Sequence, residues 1–284
     1  MNSFLIYLVS GLTLGATFAL IGSGFVMVYR VTHVVNFTQG SLAVVGGLTS
    51  YSLLNTGLPH GVSELLAVGI SGAVGVLFGA IAIGKRGTPP MISLLVTLSL
   101  SILTSGIVVL IWGQTPLSPG GLDGSVKIFG ASLGTQRLLV VAVGTVAFIV
   151  IGLFFGYSYL GKGLTAAASN PRAAALVGIS TRKMGLVAFG IAGLLGGLAG
   201  VVTAPYSPLS FTSDLPLALS GFAAAVFGGL SSPGLTLVGG LILGVAGQVV
   251  AGYFGGSFQT VVALIMLLVV MIVRHKSLTV EEAK

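Results

Sequence analysis

Long hydrophobic stretches separated by short polar segments run along the chain from its first residues to about Val273. A helix needs about 20 apolar residues to cross a bilayer core of about 30 Å. On this basis we predict about nine hydrophobic helical segments, within a range of eight to ten, of which the second and seventh are short. They are Phe4–Val28, Ser41–Leu54, Ser63–Ile83, Met91–Trp112, Leu138–Tyr157, Gly185–Ala204, Leu215–Leu230, Thr236–Ala251 and Phe258–Val273. The pattern predicts an all-α polytopic membrane protein.

The composition supports this fold class. Of 284 residues, 55% are hydrophobic and 6% are charged, whereas soluble domains carry about 25% charged residues. The chain also contains 45 glycines, many of them four residues apart, and small residues at this spacing let helix backbones approach closely in lipid. Such pairs are Gly11/Gly15, Gly75/Gly79, Gly152/Gly156, Gly196/Gly200 and Gly240/Gly244. We therefore expect a tightly packed, glycine-rich helical bundle.

The cationic residues indicate an orientation in the membrane. Ten of the 12 Lys and Arg residues fall at one set of alternating segment ends: Arg30, Lys85, Arg86, Lys162, Arg172, Arg182, Lys183, Arg274, Lys276 and Lys284. The positive-inside rule makes these ends cytoplasmic, with the N-terminus outside and the C-terminus inside. The other side carries Glu64, Asp214 and the 113–136 loop, with Asp123 and Lys127 in the loop and Arg137 directly after it. Gly, Pro and Ser in that loop predict turns or short irregular structure.

Several kinds of chemistry are not indicated by the sequence. No charged residue lies near the middle of a predicted span, although ion-coupled carriers normally need one. The stretch "GYSYLGKG" at 156–163 has the spacing of a phosphate-binding loop, but Gly163 occupies the position where Ser or Thr would bind magnesium. There is no cysteine, the three histidines are dispersed, and the acids form no pair. We expect no catalytic residue, no metal site and no nucleic-acid partner.

A polar stretch precedes each of the two short segments. "RVTHVVNFTQGSLAVVGG" at 30–47 places Asn36, Phe37, Gln39 and Gly40 before the second segment, and "APYSPLSFTSDLP" precedes the seventh. Short or interrupted spans at corresponding places in two halves are typical of the central pathway of transporters. The pattern predicts that these four residues line a substrate pathway and that four-helix halves around the fifth segment could form an inverted repeat. Ordinary polar loops beside short helices remain the alternative.

A short polar segment, residues 170–180, lies between the fifth and sixth hydrophobic segments. In "NPRAAALVGIS" at 170–180, Asn170 suits an N-cap, Pro171 the first helical position and Gly178 the helix end. The helix would present Arg172 and a small apolar face, Ala173–Val177, on the cytoplasmic side, which favours docking in a partner's groove. The predicted contact residues are Asn170, Pro171, Arg172, Ala173, Ala174, Ala175, Leu176 and Gly178. A surface helix that only links two spans is the alternative.

Taken together, these stretches resemble the inner-membrane permeases of ATP-binding-cassette importers of the branched-chain amino acid type. Residues 11–40 resemble that family's first helix and its Asn-Phe-x-x-Gly turn, residues 170–180 resemble its cytoplasmic coupling segment, and "FAAAVFGGLSSPGLTLVGGLILG" at 222–244 resembles its late glycine-rich signature. The family often has an acidic residue directly after the turn, where this chain has Ser41. The coupling segment likewise begins after Ser169 instead of an acid.

The resemblance implies one transmembrane permease domain over 1–284, with a first half 1–112, a cytoplasmic coupling segment 161–184, a second half 185–273 and a cytoplasmic tail 274–284. It implies import of branched-chain or other small neutral amino acids across a bacterial inner membrane, with urea, amides and small organic acids left open. Implied partners are two ATP-binding-cassette ATPase subunits, which hold the ATP and magnesium, a second permease chain, identical or related, and an external solute-binding protein. A stand-alone secondary carrier or channel for a small polar solute is the alternative, and a non-transporting membrane scaffold is a third.

Overall fold

The computed structural model describes residues 2–84, 89–121, 124–128, 131–256 and 258–281. The helices are α1 (Asn2–Thr32), α2 (Gln39–Asn55), α3 (Val62–Ala82), α4 (Pro90–Trp112), α5 (Thr135–Tyr157), α6 (Tyr159–Ser169), α7 (Pro171–Leu176), α8 (Thr181–Thr203), α9 (Asp214–Phe227), α10 (Pro233–Phe254) and α11 (Phe258–Glu281). Two strands, β1 (Ser125–Ile128) and β2 (Ala131–Gly134), lie between α4 and α5. The cations Lys85, Arg86 and Lys284, and also Asp123, lie outside the described residues.

Each of the nine predicted segments corresponds to a helix, which confirms the all-α membrane fold. Within the described ranges, six helices are long and apolar enough to cross a membrane: α1, α3, α4, α5, α8 and α10. The helices α2 and α9 have 17 and 14 residues, and the apolar part of α11 ends at Ile272. Nine segments is therefore slightly more than the six spans that length and composition support.

Two sets of four helices, α1–α4 and α8–α11, have the same packing pattern, in which the first helix of each set packs against helices of the other set. The first helix of each set packs against the third helix of the other, α1 against α10 and α8 against α3. The two first helices run antiparallel, because Thr17 bonds to Thr203 at 3.1 Å while Thr32 lies beside Gly185. Equivalent helices therefore run in opposite directions, and the two sets form the predicted inverted repeat.

Small residues lie where α1 crosses α10 and where α8 crosses α3. The close contacts of α1 with α10 involve Gly11, Gly15, Gly240 and Gly244, and those of α8 with α3 involve Gly193, Gly197, Ser71 and Gly75. Close backbone approach gives van der Waals contact where lipid supplies no hydrophobic force between helices. In contrast, Gly152 and Gly156 of α5 face open space. The glycine-rich packing is confirmed for the two halves, but this pair does not contribute to it.

The described cations divide between the two ends of the bundle. We call the end formed by the last turns of α1 and α3, by α6 and α7, and by the first turn of α8 the basic end, and the opposite end the loop end. The described side chains of Arg30, Lys162, Arg172, Arg182 and Lys183 lie at the basic end. At the loop end, Arg137 donates a hydrogen bond of 2.6 Å to Ser10 Oγ.

The loop between α4 and α5 is more regular than predicted. β1 and β2 pair as an antiparallel hairpin, with Ser125 opposite Gly134. Leu117 also exchanges two backbone hydrogen bonds of 2.9 Å with Leu209, in the loop before α9. The expectation of turns or irregular structure was wrong here, because the Ser-Val-Lys-Ile stretch of β1 alternates polar and apolar residues, which is typical of a strand.

Candidate functional site

Two helices of the bundle, α2 and α9, begin at half its depth. Gln39, the first residue of α2, donates a 2.8 Å hydrogen bond from Nε2 to the carbonyl oxygen of Ala192, in the middle of α8. Asp214, the first residue of α9, contacts Ser101, in the middle of α4. Since α4 and α8 have 23 residues each and are about 34 Å long, both shorter helices start close to the centre. We call α2 and α9 the half-helices.

The chain that leads into α2 is non-helical but well bonded. Asn36 Oδ1 accepts hydrogen bonds from the backbone nitrogen of Thr38, at 3.2 Å, and from its hydroxyl, at 2.6 Å. The backbone nitrogen of Phe37 donates to Thr97 Oγ1 of α4 at 3.3 Å. Asn36, Thr38 and Gln39 are fully buried. Side chains thus satisfy backbone groups that would otherwise be too costly to place at membrane depth.

The loop that leads into α9 folds back into the bundle. Leu209 is buried, packs against Gly47 and pairs with Leu117. The backbone nitrogen of Ser210 donates to Ser213 Oγ at 3.0 Å and closes the turn before the helix. Asp214 was expected at an outer segment end, and that expectation was wrong. Hydropathy alone assumes that a segment starts at the membrane surface, whereas this loop carries the chain inward first.

The two half-helices meet through their N-termini. Gly40 packs directly on the carbonyl oxygen of Asp214, and a Cβ at Gly40 would overlap that atom. The ring of Phe37, next to this contact, lies 6.3 Å from that of Phe222 on α9. The structure therefore brings the predicted residues Asn36, Phe37, Gln39 and Gly40 together where two positive helix-dipole ends converge. Their assignment to a pathway stays a prediction.

A polar cluster that the sequence did not reveal lies beside this contact. Asp214 Oδ2 accepts hydrogen bonds from Ser105 Oγ at 2.8 Å, Ser101 Oγ at 3.2 Å and Ser41 Oγ at 3.4 Å. Ser41 Oγ and Ser101 Oγ also lie 2.9 Å apart, so either hydroxyl can donate to the other in place of its bond to the carboxylate. Four-residue spacing puts Ser101 and Ser105 on one face of α4, and this spacing is the only signal in the sequence. Nothing local connects them to Asp214.

Some buried polar atoms near the half-helices lack a hydrogen-bond partner. They are Asn36 Nδ2, Gln39 Oε1 and, on α1, Ser23 Oγ. Buried polar atoms are normally paired with protein or water. These atoms therefore keep unused hydrogen-bonding capacity.

The polar segment 170–180 forms the short helix α7 with the predicted caps. Asn170 Oδ1 accepts a 3.0 Å hydrogen bond from the backbone nitrogen of Ala173, and Pro171 is the first helical residue. At the other end, Gly178 has φ +86° and its nitrogen bonds to the Ala175 oxygen at 3.1 Å. The nitrogen of Ile179 bonds to the Ala174 oxygen at 2.9 Å, which completes a Schellman motif.

The side chains of α7 face two directions. Ala174 is 3% exposed and packs within the chain, whereas Leu176 is 89% exposed and Val177 75%. Pro171, Arg172, Ala173 and Ala175 are exposed as well. Of the predicted contact set, Ala174 is thus unavailable to a partner. A helix of 6 residues is too short for its sequence pattern to define an inner face.

A cavity of about 650 Å³ separates α7 from the end of α1 at the basic end. Its lining includes His33, Ser93, Arg172, Ala175 and Arg182. His33 closely precedes the Asn36 turn, so the cavity lies between α7 and the chain that enters the first half-helix.

An inverted repeat with half-helices that meet at mid-depth is an architecture of membrane transport proteins. The family model described as branched-chain amino acid transport system / permease component matches residues 7–273. The chain therefore belongs to this family of permease components, as its resemblance implied.

Individual relatives agree with this assignment. The high-affinity branched-chain amino acid transport system permease protein LivH of Salmonella typhimurium is 28% identical, over 95% of this chain and 93% of its own. The corresponding BraD protein of Pseudomonas aeruginosa is 27% identical, over 95% and 94%. Among solved structures, a chain of PsaBC from Streptococcus pneumoniae in complex with Fab aligns with a TM-score of 0.54 and 13% identity, over 95% of this chain and 91% of that one. At this identity, the last comparison supports the fold alone.

Proposed function

We propose that this chain is the permease subunit of an ATP-driven importer that moves branched-chain or other small neutral amino acids inward. The observation that carries the proposal is the contact of the two half-helices at mid-depth, lined by the uncharged residues Asn36, Phe37, Gln39 and Gly40. Family membership and the names of LivH and BraD favour amino acids over urea, amides and small organic acids.

In this proposal the work of ATP hydrolysis enters through α7. Its exposed Ala175, Leu176 and Val177, next to Arg172, present a small apolar surface with an adjacent cation. Such a helix can seat in a groove of a separate ATPase. The functional complex would contain two ATPase subunits with ATP and magnesium, a second permease chain and an external solute-binding protein. This chain itself would bind no cofactor and act as a transport subunit, not an enzyme.

The basic end is cytoplasmic in this proposal, in a bacterial inner membrane, with the N-terminus outside and the C-terminus inside. Ser125, on the hairpin, and Ser180, after α7, are both exposed. We expect a cysteine at position 125 to react with an impermeant maleimide in intact cells, and one at position 180 to react only after the cells are opened. Labelling of position 180 from outside would reverse the orientation and remove α7 from the ATPase side.

Replacement of Gln39 by Leu tests the pathway. The change keeps side-chain size but removes the buried amide, so we expect the complex to assemble while solute uptake falls about tenfold. Thr104→Val is the matched control. The Thr104 hydroxyl is buried and, among the described residues, bonds within its own helix, to the Leu100 oxygen at 2.7 Å. Equal uptake by both variants would show that Gln39 does not line the route.

The proposed function itself is tested by reconstitution. Candidate binding-protein and ATPase subunits are first sought in the neighbouring coding sequence and purified. Amino acids, urea, amides and organic acids are then screened for ligands that raise the melting temperature of the binding protein. Uptake of the ligand is then measured in proteoliposomes with and without ATP. Uptake by the permease alone, independent of ATP, would favour the stand-alone carrier instead.

A further inference from the structure

Asp214 is an acidic side chain in an unusual place. Within the described part of the chain, it is the acidic residue that lies at half depth, beside Ser101 in the middle of α4. Glu64, in contrast, lies at the loop end in the first turn of α3. A carboxylate at membrane depth is costly and is usually retained for function.

In the part of the chain that the structure describes, this carboxylate is surrounded by dipoles and not by a counter-charge. Its Oδ2 is bonded by the hydroxyls of Ser41, Ser101 and Ser105, as described above. Among the described residues, the ion pair present is the one between His60 and Glu64. Hydroxyl groups stabilise a negative charge by hydrogen bonding but do not neutralise it.

The carboxylate also has unused capacity to accept hydrogen bonds. An ionised carboxylate has about four acceptor positions. Three hydroxyls lie within hydrogen-bonding distance of Oδ2, whereas among the described residues Oδ1 accepts one hydrogen bond, from the backbone nitrogen of Leu215 at 2.6 Å. Asp214 is half-buried, and the next two residues, Leu215 and Pro216, are exposed. A small ligand can therefore reach this group from the surface of the chain.

We propose that Asp214, held in place by Ser41, Ser101 and Ser105, binds the α-ammonium group of the transported solute at half depth. An ammonium supplies both the missing positive charge and several N–H donors, and the serine hydroxyls can rotate to accept from it as well. The inference rests on the proposed transport function and narrows it. Urea, amides and organic acids carry no ammonium, and an organic anion would be repelled by the carboxylate.

The first test uses the assembled complex in proteoliposomes. The probe is an amino acid that binds to the solute-binding protein of the complex. Asp214→Asn keeps the shape of the side chain but removes its charge, and we expect ATP-dependent uptake to fall about tenfold or more. Subunit assembly and ATP hydrolysis without solute should stay at the wild-type level. Glu64→Gln, which removes an acid at the loop end, should transport normally.

A double variant distinguishes solute binding by the charge of Asp214 from a structural role of its side chain. Ser41 Oγ lies 3.4 Å from Asp214 Oδ2, so the double change Ser41→Asp with Asp214→Ser moves the carboxylate across that contact. Recovery of a substantial part of the lost uptake is expected if the charge binds the solute. No recovery would assign Asp214 a structural role and overturn the inference.

The remaining outcomes are also decisive. Wild-type uptake by Asp214→Asn would reject the ammonium site while leaving the importer intact. If that variant fails to assemble, Ser101→Ala and Ser105→Ala replace it, and normal uptake by both would reject the site. A wild-type complex that imports no amino acid would instead reject the proposed function.

Discussion

Replacing Gly200 by valine is expected to prevent stable folding of the permease. Gly200 lies on α8, where a Cβ would overlap the backbone carbonyl of Ala43 on α2. Backbone atoms cannot move aside as the end of a flexible side chain can, so we expect destabilisation of about 3 kcal/mol or more, the upper range for an overpacked core. The yield of monodisperse protein in detergent and the midpoint of its thermal unfolding measure the effect.

Gly106→Ala is the control for this change. Gly106 also lies within a helix, α4, but no atom of another described residue outside its own turn of helix lies within 4 Å of the position that its Cβ would occupy. Alanine is the better helix former by about 1 kcal/mol, so this variant should be at least as stable as the wild type. If valine at 200 is tolerated as well as alanine at 106, α2 does not pack against α8 in the way described.

Tryptophan at two adjacent positions of α7 should give opposite results. Ala174→Trp places a large ring where the chain packs on itself, so we expect the permease itself to be lost from the membrane. Ala175→Trp changes an exposed position. It should leave the permease intact but reduce the ATPase retained on purification and the solute-stimulated ATP hydrolysis by about tenfold.

Ala80→Trp controls for the added ring, because Ala80 is exposed on α3, which also ends at the basic end. This variant should retain the ATPase and its stimulation. If Ala175→Trp also keeps both at the wild-type level, α7 is a connecting helix, and the stand-alone carrier becomes the better explanation of the fold.

The features that the sequence predicted correctly depend on local patterns. Apolar runs of sufficient length predicted nine of the eleven helices in the described ranges. The caps of α7 followed from Asn170, Pro171 and Gly178, whose preferences are local. The short second and seventh segments correctly pointed to unusual helices. Their exact depth could not be predicted from composition.

The features that the sequence missed depend on tertiary contacts. The Asp214 cluster combines residues from α2, α4 and α9, and Ser41 and Asp214 are separated by 173 positions in the sequence. The inward course of the loop before α9 depends on the pairing of Leu209 with Leu117 and on its packing against Gly47. The burial of Ala174 depends in the same way on the neighbouring helices and not on α7 itself.

The exchange of helices between the two halves restricts how this chain can move. Because α1 packs mainly against α8, α9 and α10 of the other half, and α8 likewise against α2 and α3, neither half can swing away without pulling its first helix out of a close, glycine-lined crossing. The chain should therefore move as one rigid body. In the proposed importer, opening toward alternate sides of the membrane would then take place at the boundary with the proposed second permease chain, and a force that an ATPase applied at α7 would tilt the whole bundle.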